Sequence, residues 1–196
     1  MNDSGAVSSL LATELAILGA APNTPYIGGT MALAASTTLS ATAQNVTDVF
    51  TNEAFIKHVS ETVGGELLSF TISGPTTAAF TTQTVRTLPT TRMPDIVKKF
   101  VGDSLTVTQD ESWSAPAADG SRTNTIKLSV AKAPVDVSAV QKLVAGGEST
   151  VVDLTGEVKS GVPFLGAKIA SAAEPVIGRA LNLQATLAQE WLNSHS

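Results

Sequence analysis

The sequence predicts an α+β domain in which a curved antiparallel sheet of about seven strands wraps a long C-terminal helix, with two short helices after the first strand. Three observations predict it. Strand-like alternation recurs from Met31 to Val158, broken by turn residues. The connections between the alternating runs are mostly short, which favours antiparallel pairing. From Leu165 to Trp191 the apolar residues fall every three or four positions, forming one helical stripe.

Residues 1–30 lack alternation and end in the loop-like Pro22-Asn23-Thr24-Pro25 and Gly28-Gly29. They read as an extra N-terminal leader. Either they come from a start upstream of Met31, or they form a genuine tail or a docking helix around Leu10 to Leu18. The domain itself is expected over 31–196. Leu33, Ala35, Thr37, Leu39 and Ala41 share one face of a first strand. Asn45 reads as the N-cap of a short helix, with Asp48 placed to answer it. A second helix starts at Asn52 and runs through Phe55, Ile56 and Val59 to Gly64-Gly65.

Leu68, Phe70 and Ile72 alternate with polar residues up to the turn at Ser73-Gly74-Pro75, and the threonine-rich Ala78 to Thr87 is a further strand. Pro94 to Phe100 reads as a short helix with proline in its first turn. Leu105, Val107, Gln109, Glu111 and Trp113 share one strand face, and Ala118-Asp119-Gly120 marks a hairpin. Strands then follow over Arg122 to Val130, over Val135 to Val144, and through Val152, Leu154, Gly156 and Val158. In the last segment Leu165, Ile169, Ala173, Val176, Ala180, Leu183, Leu187 and Trp191 form the stripe. A helix from Pro163 to Asn193 would run roughly 45 Å, with a kink or break near Ala172 to Pro175, where proline removes a backbone donor. Such a stripe needs a large apolar partner, and the concave face of the sheet is the one available.

Composition narrows the function classes. An apolar fraction of 43% is enough for a core, and a net charge of −5 with scattered Lys and Arg argues against nucleic acid as a partner. The absence of cysteine removes disulfides, thiolate metal sites and cysteine nucleophiles, and fits a cytoplasmic location. No apolar run is long enough for an integral membrane segment, and no basic residue precedes Leu10 to Ala21, so a signal peptide is not predicted.

Motifs for chemistry are sparse. His58 and His195 belong to no metal-ligand spacing, so no metal site is predicted. There is no G-x-S-x-G elbow, no dinucleotide fingerprint and no phosphate-binding loop, so no cofactor is implied and no catalytic residue is assigned. What remains is a set of polar groups on faces expected to point inward. Glu111 and Gln109 alternate with Val107 and Trp113, and Arg86 aligns with Phe80. A carboxylate in an apolar cavity can move protons; the bland alternative is a solvated or ion-paired Glu111. Trp113, Trp191, Phe70 and Phe80 read as core or as pocket lining.

The order of strand, two short helices, six strands and long helix is that of the helix-grip fold. Met93-Pro94-Asp95-Ile96-Val97-Lys98-Lys99-Phe100-Val101-Gly102, Leu105 to Trp113, Gly156 to Ile169 and Glu190-Trp191-Leu192 resemble an uncharacterised bacterial domain family of the START-like superfamily. That superfamily includes polyketide cyclases, the birch-pollen-allergen group and lipid-transfer domains. The resemblance covers about residues 32–193 and leaves the leader outside. It implies a cavity between sheet and C-terminal helix that binds a hydrophobic small molecule of the lipid, polyketide or isoprenoid class. The residues expected to line it are Phe70, Phe80, Arg86, Gln109, Glu111, Trp113, Ile169, Ala173, Val176 and Leu183. Two alternatives stay open: a cyclase- or dehydratase-type enzyme using Glu111 or Arg86, and a filled-core scaffold. The chain is expected to be a monomer or a homodimer.

Overall fold

Alternation in the sequence becomes seven strands in the computed structural model, which describes residues 30–89, 103–131, 135–160, 183–184 and 186–194. The strands are β1 (Thr30–Leu39), β2 (Glu66–Ser73), β3 (Phe80–Pro89), β4 (Ser104–Trp113), β5 (Arg122–Val130), β6 (Val135–Ala145) and β7 (Thr150–Ser160). They form one antiparallel sheet in the order β1-β7-β6-β5-β4-β3-β2. From β2 to β7 the chain meanders between adjacent strands, and β7 then pairs with β1. Between β1 and β2, which are the two edges, the helices α1 (Ala43–Phe50) and α2 (Glu53–Thr62) carry the chain from one side to the other.

The two helices start on side-chain caps. Thr42 is extended (φ −64°, ψ 154°) and its side chain accepts from the Asn45 N–H, so the N-cap of α1 is Thr42 and not the predicted Asn45. The physical reason is local. Any hydroxyl or amide residue can cap, and Ala43, a strong helix former, follows Thr42 directly. Asp48, expected to answer Asn45, instead accepts from Gln44 Nε2 at 2.8 Å. Asn52 caps α2 as predicted, accepting from Phe55 N at 3.1 Å. Gly65 follows α2 because a side chain there would collide with the carbonyl oxygen of Thr87.

Directly opposed residues share a face, so the register defines rungs across the concave side. One rung reads Phe80, Trp113, Asn124, Gln141, Leu154, Ala35, and the next reads Thr82, Glu111, Ile126, Ala139, Gly156. Gly156 is required by close approach: a Cβ there would lie 2.6 Å from Ser138 O and 2.7 Å from Ala139 Cβ.

The core gathers at one end of this face. Leu39, Val46, Phe50, Phe55, Phe80, Trp113, Leu143 and Val152 are buried together with Leu187 and Ala188 of the helical segment 186–194, here α3. Phe55 meets Trp191 edge-on with ring centroids 5.6 Å apart, and Phe80 stacks on Trp113 at 5.5 Å. Each fully buried Leu or Phe contributes about 1.5–3 kcal/mol, so this end holds the sheet, α1, α2 and α3 together.

Arg122 pins the same end. It is 3% exposed. Its guanidinium donates to Ala78 O at 3.3 Å, Ser114 O at 3.4 Å and Gln44 Oε1 at 3.1 Å, and also to Thr76 O. It also lies 5.8 Å from the Phe80 ring centroid.

Of the leader predicted over residues 1–30, Thr30 opens β1 and residues 1–29 lie outside the described residues, as do the helix from Pro94 to Phe100, the helix from Pro163 up to residue 182 with its kink, and His195.

Candidate functional site

Strand β4 sets the site because it places polar groups on a face otherwise built of apolar ones. Its alternation puts Leu105, Val107, Gln109, Glu111 and Trp113 on the concave side, opposite Leu88, Arg86, Thr84, Thr82 and Phe80 of β3. Leu105, Val107 and Trp113 are buried, while Gln109 and Glu111 stay half-buried.

These side chains are joined in one chain of hydrogen bonds. Glu111 Oε2 accepts from the Thr82 hydroxyl and from the Trp113 indole N–H, both at 2.9 Å. Glu111 Oε1 accepts from Gln109 Nε2 at 2.6 Å. Gln109 Oε1 in turn accepts from the Arg86 guanidinium at 3.4 Å. The Gln109 amide thus stands between the carboxylate and the cation, with its donor end on Glu111 and its acceptor end on Arg86. Burial pushes the Arg86 guanidinium below its ordinary pKa, and the charge of Glu111 partly offsets this. Arginine stays protonated in proteins, so the charge remains.

An apolar wall faces this polar stripe. Across from Glu111 and Gln109 on β5 stand Ile126 and Leu128, both half-buried, and Val130 stands across from Val107. Ala139 and Val137 continue the wall on β6. On the other side Phe70 of β2 pairs with Thr84 and is half-buried.

Of the residues singled out by sequence, Arg86, Gln109, Glu111 and Trp113 meet in one bonded chain. Phe80 stacks on Trp113 below it, and both rings belong to the closed core, so the indole N–H is the part of Trp113 that reaches the polar stripe. Leu183 packs against that same closed end. Ile169, Ala173 and Val176 lie outside the described residues. His58 is exposed on α2, 6.0 Å from the Trp191 ring.

Sequence reasoning missed Thr82, Thr84, Asn124 and Gln141, all buried on the concave face. Asn124 Nδ2 donates to Gln141 Oε1 at 3.5 Å, and Asn124 Oδ1 is buried with no partner among the described residues. The signal was present: Thr82 and Thr84 alternate in step with Phe80, and Asn124 with Ile126 and Leu128. Among the described residues no helix is long and apolar enough to cross a membrane.

The fold recurs in solved structures. A Thermus thermophilus protein matches with a TM-score of 0.52 at 14% identity, covering 84% of this chain and 99% of its own. A putative uncharacterised protein from Rhizobium leguminosarum gives 0.52 at 11% identity, covering 84% and 97%. An aromatase/cyclase from a Streptomyces species gives 0.51 at 10% identity, covering 82% and 92%. At such identities the likeness is one of fold. No curated protein matches the chain. The family described as "Protein of unknown function (DUF2505)" matches residues 34–192, which takes in β1 from Ala34 on, β2 to β7, α1, α2 and most of α3. The chain therefore belongs to that family and has the helix-grip fold that these solved structures share.

Proposed function

We propose that the concave face of the sheet binds a hydrophobic small molecule of the lipid, polyketide or isoprenoid class. One observation carries this reading. The end of the face at Trp113 is closed by core side chains, whereas the adjoining rungs keep Gln109, Glu111, Ile126 and Leu128 half-buried. An apolar wall beside a few fixed polar groups is the usual make-up of a small-molecule site. Of the residues expected to line the site, Phe70, Arg86, Gln109 and Glu111 are the ones that would touch such a molecule.

A cyclase- or dehydratase-type reaction is the second reading, favoured by Glu111 and Arg86 standing in one bonded chain. Three donors already occupy the Glu111 carboxylate, which suits a fixed acceptor better than a proton carrier.

The test is a fluorescence titration of the full chain with N-phenylnaphthylamine, a neutral apolar dye that brightens in dry sites. Saturable binding at one site per chain, weakened by Leu128→Lys, is the expected result. Dye emission that never saturates, or that ignores Leu128→Lys in a folded variant, would remove the binding reading.

A further inference from the structure

We propose that Arg86 anchors a carboxylate carried by the bound molecule, so that the ligand is an amphipathic monoacid. This rests on the binding reading above.

Two described arginines lie on the concave face, and the structure uses them differently. Arg122 donates to four acceptors supplied by the loop before β3, the end of β4 and α1. Among the described residues Arg86 has one bond, the 3.4 Å contact to Gln109, and its buried Nε has no partner there. Arg122 Nε also lacks a partner among the described residues, but each of its terminal nitrogens donates twice, whereas those of Arg86 make a single bond among the described residues.

The surroundings of Arg86 sharpen the contrast. Directly opposite it stands Val107, and the same rung continues to Val130, both buried. Among the described residues the ion pair is Lys57 with Glu61, on the exposed side of α2; no carboxylate pairs directly with Arg86. Glu111 reaches it only through the Gln109 amide, and the carboxylate spends its oxygens on three neutral donors. A buried cation that cannot shed its proton gains from an anion bonded to it directly, and Glu111 supplies its charge only from behind the Gln109 amide. The guanidinium fork matches a carboxylate in two parallel bonds. With Glu111 already balancing one charge nearby, a single added negative charge fits better than a dianion. The apolar body of such a molecule has Leu128 and Ile126 on the adjoining rungs to lie against.

The experiment displaces N-phenylnaphthylamine from the full chain with decanoate and, in parallel, with decanol, which share a chain length and differ in the head group. The wild-type protein is expected to prefer the acid by about tenfold or more at neutral pH. In Arg86→Gln the acid-to-alcohol ratio is expected to fall towards one, and Arg86→Lys, which keeps the charge but loses the fork, should retain only part of it. Saturable dye binding with equal displacement by acid and alcohol would overturn the inference while leaving the binding reading intact. So would an acid preference that survives Arg86→Gln. A protein that never binds the dye saturably would overturn both. The wild-type ratio needs no variant, so it decides against the inference even if Arg86→Gln does not fold.

Discussion

Trp113 Nε1 donates to Glu111 Oε2 at 2.9 Å, from two residues further along the same strand face. The indole ring belongs to the closed core, while the carboxylate belongs to the half-open polar stripe. One hydrogen bond therefore ties the position of the core aromatic to the arrangement of the candidate site. Because the indole N–H is buried with its ring, it needs this acceptor.

Glu111→Leu should be markedly destabilising, since Thr82, Gln109 and Trp113 all lose their acceptor at once. Leaving buried donors unpaired costs about 1–3 kcal/mol. Glu111→Gln should cost less, because one amide oxygen can still serve Trp113 and Thr82, but its NH2 would then face the NH2 of Gln109. Urea denaturation measures the order expected: wild type, then Gln, then Leu. Equal midpoints for all three would show that the bonded chain contributes nothing to stability.

Arg122 offers a separate test of the closed end. Its guanidinium bridges the carbonyls of Thr76, Ala78 and Ser114 and the side chain of Gln44. Arg122→Met keeps the stem and removes the donors, leaving several acceptors short, and should cost roughly 2–5 kcal/mol. Arg122→Lys should rescue little, because one ammonium cannot span acceptors held in a fork geometry. Full stability of the lysine variant would mean that charge alone matters here.

The turn between β4 and β5 predicts a pH effect. Asp119 accepts from the Ser121 N–H at 2.9 Å and from the Ser121 hydroxyl at 3.0 Å. The backbone bond first and the hydroxyl second hold its carboxyl below the ordinary aspartate value. A depressed folded pKa means that the contribution to stability is fully present above the unfolded value and is lost as pH falls through the folded one. Carbon-detected NMR titration should find Asp119 with a midpoint below that of a free aspartate, and Ser121→Ala should move it upward. A midpoint that ignores Ser121→Ala would refute the role of the hydroxyl.

Much of the sheet was legible because a strand with one buried face repeats every two residues. Phe70 and Ile72, Gln109 and Glu111, and Ile126 and Leu128 each fall in step on the concave side. Arg86 was legible by its phase with Phe80. Helix starts were less so. Several capping residues lie within a few positions of each other near Thr42 and Asn45, and the hydrogen bond that chooses between them depends on where the backbone leaves β1.

The sequence by itself determined the number of strands, the two short helices and most of the side chains that share a face, because those are local periodicities; Leu68, expected in step with Phe70 and Ile72, is exposed because a bulge between Leu67 and Ser69 shifts the phase. It also put Glu111 in phase with Val107 and Trp113 and Arg86 in phase with Phe80, and left a solvated or ion-paired Glu111 open. Only the tertiary structure decided which of them touch. The register of β3 on β4 sets Arg86 beside Val107 and Thr82 beside Glu111, and a slip of a single residue would have sent every one of these side chains to the opposite face. The packing of α1 and of the loops beside β3 and β4 gave Arg122 four acceptors from distant segments, while Arg86 has one among the described residues. Long-range packing makes that difference between two identical side chains, and no local pattern carries it.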